Sequence, residues 1–215
     1  SHTTVLKESF NVGSFGLLKN SLSFNHQGED FNVNLFHDHL ETDGFRENSA
    51  YDRGMIMLDA GLTLNSKNEL QLLFQQLNYT AHIASSISKS DLENDPSVAA
   101  SNWGDARGYE DNKITTVGLS YIHSISNELK NKTAMFYSYL DHYEPRPFNI
   151  LDEFSNSYGF RTSFLGSLEL LPIKNTFEVG MEWYHDTYHW LTLENLYEQN
   201  NGAGSLAGEL LSDNK

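Results

Sequence analysis

Polar and apolar residues alternate along most of the chain, and the alternation is longest between Ser157 and Trp190. Tyr158, Phe160, Phe164, Leu168 and Leu170 share one parity, while Arg161, Ser163, Ser167 and Glu169 share the other. A turn holding Pro172, Lys174 and Asn175 follows. The pattern then resumes with Phe177, Val179, Met181 and Trp183 against Glu178, Gly180, Glu182 and Asp186. Successive strand side chains point to opposite faces, so this predicts a hairpin with one apolar and one polar side. Each arm is about a dozen residues long, where an ordinary strand has about five or six. Crossing a membrane as a tilted strand requires that extra length.

The same signature recurs upstream. Strands are predicted over 3–11, 17–25, 30–40, 55–64, 69–79, 113–122 and 129–140, which with the two hairpin arms makes nine. Residues 55–64 are the cleanest, with Ile56, Leu58, Ala60, Leu62 and Leu64 all on one parity. Residues 12–16 form a bend, and 42–52, 83–111 and 141–154 read as loops, the last marked by Pro145 and Pro147. Helical turns are expected near 88–94 and 98–103. After Trp190 periodicity is lost and the tail reads as irregular. Past the first bend the connections run short, long, short, long, the alternation of outer-membrane barrels. The predicted fold is therefore all-β: an antiparallel up-and-down meander, a portion of a transmembrane β-barrel with its long loops on one end. The whole of 1–215 is expected to form one partial barrel domain.

Composition narrows the function. Hydrophobic residues make up 39% of the chain, mean hydropathy is negative, and no apolar run reaches the roughly 20 residues of a spanning helix. A barrel remains allowed, because only alternate residues meet lipid. The 11 Tyr, 13 Phe and 3 Trp suit aromatic girdles. A formal charge of −15 speaks against nucleic acid, whose phosphates it would repel. With no cysteine, thiol catalysis, zinc–thiolate centres and disulfides are excluded.

Several motifs carry a likeness beyond periodicity: Gly13-Ser-Phe-Gly16, the run from Asp43 to Arg53, Ala100-Ser-Asn-Trp103, the run from Tyr143 to Glu153, and Phe177-Glu-Val-Gly-Met-Glu-Trp183. Together they resemble the barrel of TonB-dependent outer-membrane receptors, most closely those of Bacteroidetes-type bacteria that transport iron. The resemblance implies a wall of about 22 strands around an N-terminal plug that carries a TonB-binding box. Neither plug nor box is recognisable in these 215 residues, so TonB contact would run only through an N-terminal region outside them. The resemblance further implies location in the bacterial outer membrane, lipid around the wall, and import of an iron chelate or siderophore. The alternative is a secreted all-β carbohydrate-binding module that uses its aromatics as stacking platforms.

Candidate chemistry is sparse. His37 and His39 share one strand face, as two ligands of a metal would. Together with His185 and His189, however, they are read as solvated polar groups of the barrel interior. No nucleophile elbow, paired carboxylates or calcium-loop spacing is present, so no catalytic residue, metal or cofactor is assigned and the chain is read as a binding protein rather than an enzyme. Trp103, Arg107, Tyr109 and Arg146 are the candidate ligand contacts, being aromatic and guanidinium groups on the two longest loops. Arginine offers bidentate pairing to an anionic chelate.

Overall fold

A computed structural model describes residues 2–170 and 173–214. Among them, ten strands form a single antiparallel sheet in strict sequence order. These are β1 (Thr3–Val12), β2 (Leu18–Gln27), β3 (Phe31–Thr42), β4 (Tyr51–Asn65), β5 (Asn68–His82), β6 (Tyr109–Ser124), β7 (Leu129–Arg146), β8 (Asn149–Leu170), β9 (Ile173–Asn195) and β10 (Ala207–Asn214). Pro172, at the centre of the expected turn, falls outside the described residues, while Lys174 and Asn175, expected in that turn, already belong to β9. Two short helices, α1 (Lys89–Asn94) and α2 (Ser101–Ala106), interrupt the connection between β5 and β6. They lie close to where helical turns are expected. Ser88 caps α1 through a reciprocal bond with Asp91.

The register turns the one-dimensional alternation into two faces. Ala60 stands opposite Leu72, which stands opposite Leu119, and the row continues through Met135, Phe160 and Trp183. A second row runs Leu35, Leu58, Phe74, Val117, Tyr137, Tyr158. Residues directly opposite share a face, so this side is a continuous apolar band. Its side chains stay open to the surroundings: Leu62, Leu119, Met135, Val179 and Met181 are all exposed. The other face carries Asn34, Asp59, Gln75, Thr116, Ser138 and Ser157. The buried polar residues Asp38, Asn112 and Ser163 all belong to it, so its side chains crowd together as on the inner side of a curved sheet. At Gly159 a Cβ would lie 2.8 Å from the Phe136 ring and 2.4 Å from the Trp183 carbonyl, so only glycine fits there.

Two expectations are corrected. Residues 141–154 are not a loop, because β7 and β8 run through them to a tight turn at 147–148. The β6–β7 pairing ends at Asp111 opposite Tyr143. Beyond that point β7 has a partner on one side only, and Pro145 sits where a missing N–H is tolerated. The tail is not irregular either. After a 3-10 turn (Tyr197–Gln199), β10 pairs with β9, with register shifts on both sides of Leu210. Strands therefore number ten rather than nine. The remaining long connections, 43–50, 83–108 and 196–206, all emerge from one end of the sheet.

Candidate ligand-binding face

At the loop end of the polar face, five neighbouring strands feed side chains into one network. Tyr79 on β5 donates to Glu110 Oε2 (3.3 Å), and Asn112 Nδ2 reaches the same oxygen (3.4 Å). Asn112 Oδ1 meets His142 Nδ1 at 2.8 Å. The opposite ring nitrogen of His142 lies 3.9 Å from Glu144 and 3.7 Å from Glu153. Arg146 pairs with Glu144 at 3.3 Å, and Tyr188 on β9 donates to Glu153. Antiparallel pairing explains the convergence: His142 stands directly opposite both Asn112 and Glu153. Burial pushes the Glu144 carboxyl above its usual range, and Glu110 and Glu153 add to the rise while Arg146 and His142 oppose it. With three carboxylates against one guanidinium, this region is net acidic. It offers hydrogen-bond donors and acceptors rather than a nucleophile with its base, and so suits holding a ligand.

A second charged group lies on the same face at β2–β4. Asp38 is 2% exposed. One carboxylate oxygen pairs with the Arg53 guanidinium, and the other faces the Lys19 ammonium at 3.6 Å. Two cations around one buried anion make this end locally positive. The polar face thus changes sign along the loop end, from basic at β2–β4 to acidic at β6–β9.

Above the sheet, Arg46 and Asn48 clamp the loops. The Arg46 guanidinium donates to the carbonyls of Ser85 (2.6 Å) and Val98 (2.9 Å). Asn48, in the left-handed region at φ 49°, donates to the carbonyls of Ile83 and Gly108, both at 2.9 Å. The buried apolar residues Ala84, Ala106 and Ile150 gather at this end.

The four candidate contacts are distributed rather than joined. Trp103 lies against Gly108, where a Cβ would come within 2.5 Å of the indole, and packs edge-on with Phe148. Arg146 stacks over the same Phe148 ring, 5.1 Å from its centre. Trp103 and Arg146 therefore meet through a residue that the sequence reading did not single out. Arg107 closes α2 in the left-handed region and donates to the Gly202 carbonyl at 3.1 Å, tying 83–108 to 196–206. Tyr109 packs between His82 and Tyr143, and its register parity puts it on the apolar side. His37, His39, His185 and His189 also fall on the apolar parity, opposite or beside Ile56, Tyr158 and Phe154, not on the polar one. The acidic network escapes the sequence because half of it, His142, Glu144, Arg146 and Glu153, lies within 141–154, the span read as a loop. Its only local trace is the alternation His142, Glu144, Arg146.

No family model matches the sequence, and no curated protein matches it. Solved structures do match in fold. The ferric-catecholate import receptor Fiu from E. coli K12 superposes with a TM-score of 0.71 over 90% of the chain at 14% identity. FpvA of P. aeruginosa, solved with pyoverdines bound, gives 0.78 over 98% at 10% identity. The copper transporter OprC gives 0.65 over 96% at 13% identity. The chain spans 35% of the Fiu chain, 32% of FpvA and 31% of OprC, about a third of each. The likeness is one of fold: the meander superposes on a part of each of these longer chains.

Proposed function

We propose that the chain is one stretch of the barrel wall of a TonB-dependent outer-membrane receptor that imports iron chelates. The remaining wall and a plug would be supplied outside these residues. The carrying observation is the two-faced meander. Its apolar rows run unbroken across the strands, its polar face turns the other way, and it superposes on import receptors over nearly its full length. In a membrane the apolar rows would meet lipid, and the free edges of β1 and β10 would pair with further strands. The iron-transporting, Bacteroidetes-type assignment draws on the loop motifs around Arg46 and Trp103. The carbohydrate-binding alternative finds no support, because a sandwich would cover the apolar rows with a second sheet and the described residues form a single one.

Ligand would enter at the loop end, meeting Trp103, Arg107 and Arg146 together with Glu144, Glu153 and Tyr188, while Tyr109, on the apolar parity, would face away from it. Arg146 could then reach an anionic chelate only by exchanging its Glu144 partner. The test is binding of a ferric chelate to outer membranes carrying the intact receptor, before and after Arg107→Ala with Arg146→Ala. Loss of two charge-assisted contacts of about 1.5–3 kcal/mol each predicts at least about a hundredfold fall in affinity with the receptor still assembled. Unchanged affinity removes the loop assignment. Recovery of the receptor in the soluble fraction removes the membrane reading.

A further inference from the structure

We propose that His39, Glu41 and Asp52 form a site for a divalent transition metal of zinc-like preference, at the rim where the apolar face meets the loops. One ring nitrogen of His39 and one oxygen of each carboxylate lie within 4.8 Å of one another, and His39 Nε2 already contacts Asp52 at 3.1 Å. The strand geometry makes the site. His39 and Glu41 are two apart on β3 and share a face, while Asp52 on β4 stands directly opposite Glu41. His39 itself stands opposite Gly54, where a Cβ would have nothing within 4 Å. That opening lets the imidazole lean diagonally toward Asp52.

Electrostatics calls for a cation here. Two carboxylates directly opposite on a ladder repel. The register neighbours are Leu18 opposite Glu41, Asn20 opposite His39 and Thr80 opposite Asp52, so no ammonium or guanidinium answers them from adjoining positions. The nearby cations, Lys19 and Arg53, belong to the other face and are occupied by Asp38. The cleft above, about 550 Å³, adds Asp43 and His82 to Glu41 and Asp52 and is lined by no lysine or arginine. One imidazole among oxygen donors favours zinc-type ions over calcium or magnesium. Three protein donors at an exposed rim leave further positions to water. The pairing of His37 with His39, suggested by their spacing, is replaced by His39 with two carboxylates.

The experiment is calorimetric titration of the intact receptor in detergent with zinc, calcium and magnesium chlorides. Cobalt absorption provides a second readout of imidazole ligation. Zinc is expected to bind once at this site and more tightly than calcium. His39→Ala and Asp52→Asn should each weaken it at least about tenfold, since even removing an outer-shell partner costs that much. His37→Ala should leave zinc binding unchanged, and the circular dichroism of every variant should match that of the unmodified receptor. Equal zinc affinity in His39→Ala overturns the proposal, as does calcium binding as tightly as zinc. If His39→Ala fails to fold, Glu41→Gln alone decides: unchanged zinc affinity refutes the site.

Discussion

The two faces of the sheet are held by different physics. The apolar face is repetitive. Any row, such as Ala60, Leu72, Leu119, Met135, Phe160, Trp183, is interchangeable with the next, and what matters is that no charge intrudes. The polar face is built of particular partners: Asp38 with Arg53 and Lys19, and His142 between Asn112, Glu144 and Glu153. A substitution on the first face is therefore judged by depth and polarity alone, and one on the second by what it leaves unpaired. The same strands carry both, one residue apart.

The comparison breaks most visibly at Leu58 and Thr63. Leu58 lies midway along β4 on the apolar face, so Leu58→Arg should cost about 2–4 kcal/mol in a bilayer. Leu62→Arg, close to the short turn at the end of β4, should cost less because the penalty falls toward the interface. Thr63→Arg, on the polar face, should stay within about 0.5 kcal/mol. Heat-modifiable migration of the refolded receptor, followed through a urea series, reads all three, and equal costs at 58 and 63 would mean the faces are misassigned.

An effect of comparable size is expected at Arg53. Arg53→Ala strands the buried Asp38 with only Lys19 3.6 Å away, at a cost of about 3 kcal/mol. Pairing it with Asp38→Asn should recover most of the loss, because the uncompensated charge goes too. A double-mutant cycle measured by urea unfolding checks this. Simple additivity would show that the two residues do not act as a pair.

The smallest effect is a pH dependence confined to the acidic network. Glu144 stands at the loop end, beyond the apolar rows. Burial raises its folded-state pKa above the unfolded value, with the neighbouring carboxylates adding to the rise. The native state therefore holds a proton that the unfolded chain has released, and Glu144's contribution to stability is fully present below the ordinary carboxylate pKa. It is lost as pH rises through the raised value. Glu144→Gln should flatten the thermal-unfolding profile in that window. A profile identical in shape to that of the unmodified protein would show that Glu144 ionises as freely in the folded state as in the unfolded.

Alternation alone determined most of the architecture. Side-chain direction in a strand depends only on parity, so Ile56, Leu58, Leu62 and Leu64 could be assigned to one face with Val117, Leu119, Phe160 and Phe164 without coordinates, and the register places them there. The clustering of long connections at one end was also legible, apart from 141–154, where two prolines masked the end of β7, paired on one side only beyond Tyr143, and the start of β8. Tertiary structure decided what depends on register between strands. β10 has little periodicity of its own and exists because β9 offers it an edge. Asp38 finds Arg53, His142 finds Glu153 and His39 finds Asp52 across ladders whose alignment no single strand encodes. A slip of one residue would turn each of these partners to the opposite face, which is why the sequence shows the faces and only the folded sheet shows the sites.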